Sequence, residues 1–235
     1  MRLKIANNFN DLYLEARGSS TAGVFPGAFK PPHKGHYHTA LQAALNGGID
    51  TLFILMSDTP RTLETNNTGN NTPDWKRYSG LLPGGRQHAE FDGKIQIELA
   101  ECERPDIGGK PASASNLRAK ITQFALHNQD IKTFMDNANE FIPPELAPEA
   151  KVEVAKHMVK HAQDGIVDAY EAAQIWEKYY IPLIEQHGGA NIVFEILQGS
   201  PVGYTYEVIR TMVEMQTYDK VKLFVGCEKK TDVDD

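Results

Sequence analysis

The chain reads as an α/β protein: a doubly wound, mostly parallel sheet of five strands with a helical appendage. Three observations predict this. Short, nearly continuous apolar runs recur along it, as strands buried on both faces require. Segments with apolar residues at helical spacing separate those runs. A loop rich in glycine and proline joins the first run to the first helix, the place where open parallel sheets collect ligands.

Taken in order, residues 7–17 read as a short helix, capped by asparagine and ended near Gly18, with a packing role. Ala22-Gly23-Val24-Phe25 has the length of a buried strand, and Pro26-Gly27 stops it. After the loop Gly27 to His36, the residues Ala40, Leu41, Ala44 and Leu45 recur at helical spacing, and Asn46-Gly47-Gly48 supplies a left-handed stop. Asp50 to Met56 is a second buried strand. Ser57-Asp58-Thr59-Pro60-Arg61 closes it, which makes Ser57, Asp58 and Arg61 substrate-site candidates or, equally, a solvated Asx-type turn. Residues 62–74 are polar and asparagine-rich, as an exposed linker is, and Trp75 to Gly93 reads as irregular.

Ile95 to Leu99 alternates cleanly and predicts a strand with one face covered. Behind a glycine-rich approach, Ser113 stands where an N-cap belongs, and Leu117, Ile121 and Phe124 follow at helical spacing. Ser113, Ser115 and Arg118 at such a helix start form an anion site in type. Residues 131–139 read as helical. A longer amphipathic helix with Val152, Ala155, Val159 and Ala162 on one side completes the appendage. His157 and His161 lie one turn apart on it, a spacing that fits a metal or a solvated face. From Asp168 another helix carries Ala172, Ile175, Trp176 and Tyr179. Pro182 ends or kinks it, and Trp176 reads as a core anchor or a stacking ring. Asn191 to Leu197 is a third buried strand, Tyr204 to Met215 a helix, and Val221 to Gly226 the last strand. The loop with Ser200 and Pro201 and the loop from Gly226 to Lys230 fall at strand ends, where a substrate is recognised.

Composition narrows the classes. With 235 residues, 41% hydrophobic and 23% charged, the chain can bury one ample α/β core. A net charge of -7 argues against a nucleic-acid backbone binder, while leaving room for one local basic pocket. Cys102 and Cys227 stand in no metal or redox spacing. No apolar stretch reaches membrane-spanning length, and Met1-Arg2-Leu3-Lys4 leads into polar residues, so the expectation is a cytoplasmic protein without membrane or nucleic-acid partners, compatible with a homo-oligomer.

The chemistry concentrates in Gly27-Ala28-Phe29-Lys30-Pro31-Pro32-His33-Lys34-Gly35-His36. His33 and His36 are three apart at a helix start, so their rings can share one side of its first turn and donate to phosphate oxygens. Gly35 between them would let a phosphate approach the main chain, and Lys30 adds a mobile positive charge. A zinc cluster of His33, His36 and His38 is the competing reading, disfavoured by two lysines and the lack of a nearby carboxylate; solvated loop histidines are another.

Gly27, Phe29, Pro31, His33, Gly35 and His36 match the pattern Gly-x-Phe-x-Pro-x-His-x-Gly-His, and the chain thereby resembles the nucleotidylyltransferase superfamily. Ser113, Ser115 and Arg118 resemble the same superfamily's Ser-x-Thr-x-x-Arg signature, with serine for threonine at 115. The resemblance implies a Rossmann-like fold and an ATP- or CTP-dependent transferase. Its nucleoside triphosphate, carried with Mg²⁺, would be held by Gly27, Ala28, Phe29, Gly35, Ser113 and Ser115. A phosphorylated small-molecule acceptor would lie near Ser57, Arg61, Ser200 and Pro201, and Lys30, His33, His36 and Arg118 would stabilise charge. A non-catalytic nucleotide-binding or scaffold protein is the alternative. A class I aminoacyl-tRNA-synthetase-like enzyme shares the histidine pattern, but the chain lacks a Lys-Met-Ser-Lys-Ser-type loop. The motif order differs from the family's. There the hydroxyl-and-arginine motif follows the last strand, whereas here residues 62–165, which carry it, stand between the second and third of the family's strands as an inserted or reordered segment of one domain.

Overall fold

A computed structural model of the chain describes residues 20–63, 74–91, 93–107 and 109–227. The helix expected over 7–17 and most of the linker expected over 62–74 lie outside the described residues. The five strands are β1 (Thr21–Gly27), β2 (Thr51–Ser57), β3 (Gln96–Glu103), β4 (Asn191–Leu197) and β5 (Lys220–Cys227), and they form one sheet in the order β3-β5-β1-β2-β4. Every neighbouring pair is parallel. Among the described residues, the strand ahead of the second motif therefore sits at the sheet edge, beside the last strand. A reordered segment is compatible with a regular sheet because strand position depends on which neighbour it pairs with and not on chain order.

Alternation along β2 shows why the sheet is covered on both sides. Leu52, Ile54 and Met56 face one layer; Phe53 and Leu55 face the other. Over the first face lie α1 (Lys34–Asn46), α2 (Ala114–Leu126), α3 (Ile131–Ala138), α4 (Pro148–Val159), α5 (Ala169–Ile175) and α6 (Ile181–Glu185). Over the second lies α7 (Pro201–Glu214), with Tyr204, Val208, Ile209 and Met212 turned inward. The appendage is part of the main core: Phe134, Trp176 and Tyr180 are fully buried in the same cluster as Phe25 and Ile54. Trp176 packs edge-on to Phe29 and Tyr180 and is a core anchor.

Several local details differ from expectation. The buried face of α4 is Val154, Ala155, Met158 and Val159, with Val152 only partly covered and Ala162 in a following 3-10 turn. Pro182 neither ends nor sharply breaks its helix. Residues Trp176–Tyr180 form a π-turn between α5 and α6, the adjustment by which a helix absorbs a proline's missing N–H. The stretch read as irregular contains a helical turn at Asp74–Arg77 and 3-10 turns at Ser79–Leu81 and His88–Phe91, with Tyr78, Leu81 and Phe91 buried against the α7 face. Arg61 and Thr62 pair with Val167 and Ile166 in a two-residue antiparallel ladder, so the returning appendage pins the loop after β2. A second small ladder, Asp106–Ile107 with Lys110–Pro111, separates β3 from the second motif.

Candidate functional site

The carboxyl ends of β1, β5 and β3 meet where the chain switches direction across the sheet. The described residues enclose a cleft of about 670 Å³ there. Three helices of eight residues or more begin at its wall: α1 with His33, Gly35 and His36, α2 with Ser113, Ala114 and Ser115, and α7 with Ser200, Pro201 and Val202. Each helix start carries partial positive charge and unpaired N–H groups. Lys30, Arg61, Arg77, Arg104 and Arg118 line the same cleft, and among the described residues no carboxylate lines it. In a chain of net charge -7 this is a concentrated positive site.

The loop that opens α1 is built by its own histidines. Gly35 N donates to His33 Nδ1 at 3.0 Å, which makes His33 the N-cap, and His33 N donates to His36 Nδ1 at 3.3 Å in a reciprocal capping box. With both Nδ1 atoms accepting, each neutral ring carries its proton on Nε2. The rings stack with centroids 3.8 Å apart. Burial, with the charges of Arg104 and Arg118, pushes the His33 pKa down to about 3. Burial, then His33, Arg104 and Arg118, holds His36 well below the ordinary imidazole range. Two neutral N–H donors, fixed in tautomer, are the product. Phe29 underpins them: it adopts a left-handed φ of 50° and packs its ring on Phe25, His36 and Trp176.

One expectation for this loop needs correction, and Gly35 gains a second role. Lys30 is not mobile: it is 1% exposed, and its ammonium donates to the carbonyls of Ser57 and, at 3.1 Å, Ala28. Desolvation, reinforced by Arg61, lowers its pKa to about 8. The missing side chain of Gly35 serves the join between the motifs, because a Cβ there would lie 2.9 Å from His33 Cε1 and 3.0 Å from Ala112 Cβ.

The second motif closes on the first. Ser113 caps α2 by accepting from Asn116 N at 3.2 Å, which leaves its hydroxyl proton for another acceptor. Arg118 donates to Lys30 O at 3.0 Å and to Ser115 Oγ at 3.1 Å, so the guanidinium bridges the two helix starts. Arg61 is close enough to depress both Lys30 and Arg118.

Of the residues singled out in the sequence, Gly27, Ala28, Phe29, Lys30, His33, Gly35, His36, Arg61, Ser113, Ser115, Arg118, Ser200 and Pro201 all line this cleft. Ser57 does not: it is buried, and its hydroxyl donates to Gly199 O while accepting from Thr59 N. Asp58 is likewise off the wall, its N–H donating to Leu197 O. Arg77, Tyr78 and Arg104 were not anticipated; for Arg104 the usable signal was its place just past a strand in a parallel sheet.

Away from the cleft, His157 Nδ1 donates to the buried carboxylate of Glu171 at 2.6 Å, and Lys160 donates to the other oxygen at 2.6 Å. His161 lies near Asp168 and Glu171 in a grouping that could hold a cation, but the Lys160 ammonium already neutralises Glu171. Among the described residues no helix is long and apolar enough to cross a membrane. Compared with protein-family models, curated proteins and solved structures, the chain finds no match.

Proposed function

We propose that the protein is a nucleotidylyltransferase that moves AMP or CMP from a nucleoside triphosphate onto a phosphorylated small molecule. One observation carries the reading: three helix starts, two neutral imidazoles and five cationic side chains border one cleft whose described wall holds no carboxylate. That is a polyanion site, and its size suits a nucleotide with a second ligand. Mg²⁺ would enter as the counter-ion of the triphosphate.

An oxygen of the acceptor phosphate attacks the α-phosphorus in line. The bond from that phosphorus to the bridging oxygen breaks, and pyrophosphate leaves with the electron pair. No protein nucleophile is required, because the attacking oxygen is already anionic. The chain contributes alignment and charge stabilisation. The imidazole donors and Arg118 would hold the departing β- and γ-phosphates from two sides, while Lys30 adds a desolvated charge at the loop between them.

Pyrophosphate release, measured with ATP, CTP, GTP and UTP against a set of phosphorylated acceptors, tests the proposal. Release that requires an acceptor supports it. Tight nucleotide binding without release from any pair would instead favour a nucleotide-binding scaffold.

A further inference from the structure

Outside the cleft, imidazoles and carboxylates from two neighbouring helices converge. His157 and His161, one turn apart in sequence, lie at and just beyond the end of α4, while Asp168 caps α5 and Glu171 stands in its first turn. One ring nitrogen of His161 and one carboxylate oxygen each of Asp168 and Glu171 lie within 4.8 Å of one another. Imidazole with carboxylate is a donor set for a divalent transition metal, and bonds of about 2.1 Å put neighbouring ligand atoms roughly 3–4 Å apart. A small contraction of the three side chains closes that shell.

The groups around these three already orient them. His161 Nδ1 donates to Asp164 Oδ2 at 3.1 Å, so the neutral ring keeps its lone pair on Nε2, the arrangement that a carboxylate imposes on a ligating imidazole. Asp168 caps α5 through Oδ1, which accepts from Tyr170 N at 2.8 Å and Glu171 N at 3.1 Å; its Oδ2 has no partner among the described residues. Glu171 is 3% exposed, and His157 Nδ1 fixes its Oε2. Its Oε1 meets the Lys160 ammonium, carried on a side chain that is 56% exposed. Lys160 is thus a stand-in cation. It supplies one positive charge for two carboxylates, and an exposed lysine is held there weakly enough to swing into solvent. A dication would balance both carboxylates at once.

We propose that His161, Asp168 and Glu171 form a site for a divalent transition metal, tested here as zinc, with water completing the shell, His157 and Asp164 as outer partners and Lys160 displaced. The ion would clasp the end of α4 to the start of α5 around the short strand Ile166–Val167, whose Val167 pairs with Arg61 of the cleft wall. The site is separate from the cleft and does not depend on what the cleft binds.

The test is a zinc titration of the full chain, stripped of metal and held at pH 7, in competition with a chromophoric chelator, for the natural protein and for His161→Ala, Asp168→Asn and Lys160→Met. Asp168→Asn retains a capping oxygen for α5, and thermal unfolding without zinc checks that each variant is folded. His161→Ala and Asp168→Asn should each weaken zinc by more than the roughly 10- to 100-fold that loss of an outer partner costs. Zinc should raise the melting temperature of the natural protein and leave that of these two variants unchanged. Lys160→Met should bind zinc more tightly than the natural protein, because the competing ammonium is gone. Zinc held equally well by His161→Ala and Asp168→Asn would put the ion elsewhere and overturn the assignment. A natural protein that takes no zinc from the chelator would also overturn it, and so would a Lys160→Met variant that binds zinc more weakly.

Discussion

Lys30 offers a quantitative handle on the cleft. Its ammonium is removed from solvent and tied to two carbonyls, and its pKa falls to about 8. A polyphosphate beside it would favour the charged form and drive the value back toward the ordinary 10.5. The sign follows from proton counting. Below pH 8 Lys30 is charged with or without ligand, so it adds no pH dependence. Between about 8 and 10.5 the free protein has lost the proton that the complex keeps, so binding takes one up and affinity falls as pH rises. Full restoration is worth about 3.4 kcal/mol, roughly 300-fold in affinity, at a limiting slope of about tenfold per pH unit. Titration of a nucleoside triphosphate at pH 8, in two buffers of different ionisation enthalpy, should report uptake of about half a proton. Lys30→Arg should bind with no such uptake, and Lys30→Met should bind weakly and without the slope. Uptake that is absent in the natural protein, or that persists in Lys30→Arg, would refute the placement of this charge beside the bound phosphates.

Other consequences are equally concrete. His36→Ala should lower turnover about 10²- to 10³-fold while changing nucleotide affinity much less, because a donor aimed at developing charge acts mainly in the transition state; single-turnover kinetics beside direct binding measurements would show the split. His33 is held neutral with a pKa of about 3, below its unfolded value near 6.5, so its contribution to stability is complete above pH 6.5 and is lost as pH falls toward 3. Denaturant unfolding between pH 7 and 4 should show a slope of about 1.4 kcal/mol per pH unit from this residue, removed in His33→Asn, which keeps an N-cap acceptor. Gly35→Ala forces a methyl against His33 and Ala112 and should cost about 1–3 kcal/mol in a thermal melt, with loss of activity as the motifs are pushed apart. Phe29→Ala removes a ring that is 3% exposed and should destabilise the fold by about 3–5 kcal/mol, read by the same unfolding measurement.

The sheet and the first motif were legible because their signals are local. A short apolar run needs burial on both faces, and His33 and His36 fall where a helix starts; the expected stop at Pro26-Gly27 was wrong, because β1 runs on through both residues to pair with Leu55 and Met56 of β2. The hydroxyls and Arg118 of the second motif were legible as a capped helix start for the same reason. What could not be read was everything decided by pairing across the chain. Nothing local says that β3 pairs with β5, yet that pairing brings Arg104 and Arg118 to the imidazoles. The burial of Lys30 depends on the end of β2, and the position of Arg61 depends on Val167 more than a hundred residues away in sequence. Ser57 looked like a site residue from its place at a strand end, but its hydroxyl is consumed by the loop it closes. Arg77 lies in a stretch without periodicity, and only the burial of Tyr78 and Leu81 carries it to the cleft wall.

The central claim is that the helix starts at His33 and Ser113 grip one polyanion from two sides, and a crystal structure with a non-hydrolysable nucleoside triphosphate tests it most directly. The account predicts the β- and γ-phosphates within hydrogen-bond reach of both Nε2 atoms of His33 and His36 and of the Arg118 guanidinium. A triphosphate lodged elsewhere, or held by the first loop with Arg118 still turned onto the Lys30 carbonyl and Ser115 alone, would contradict it.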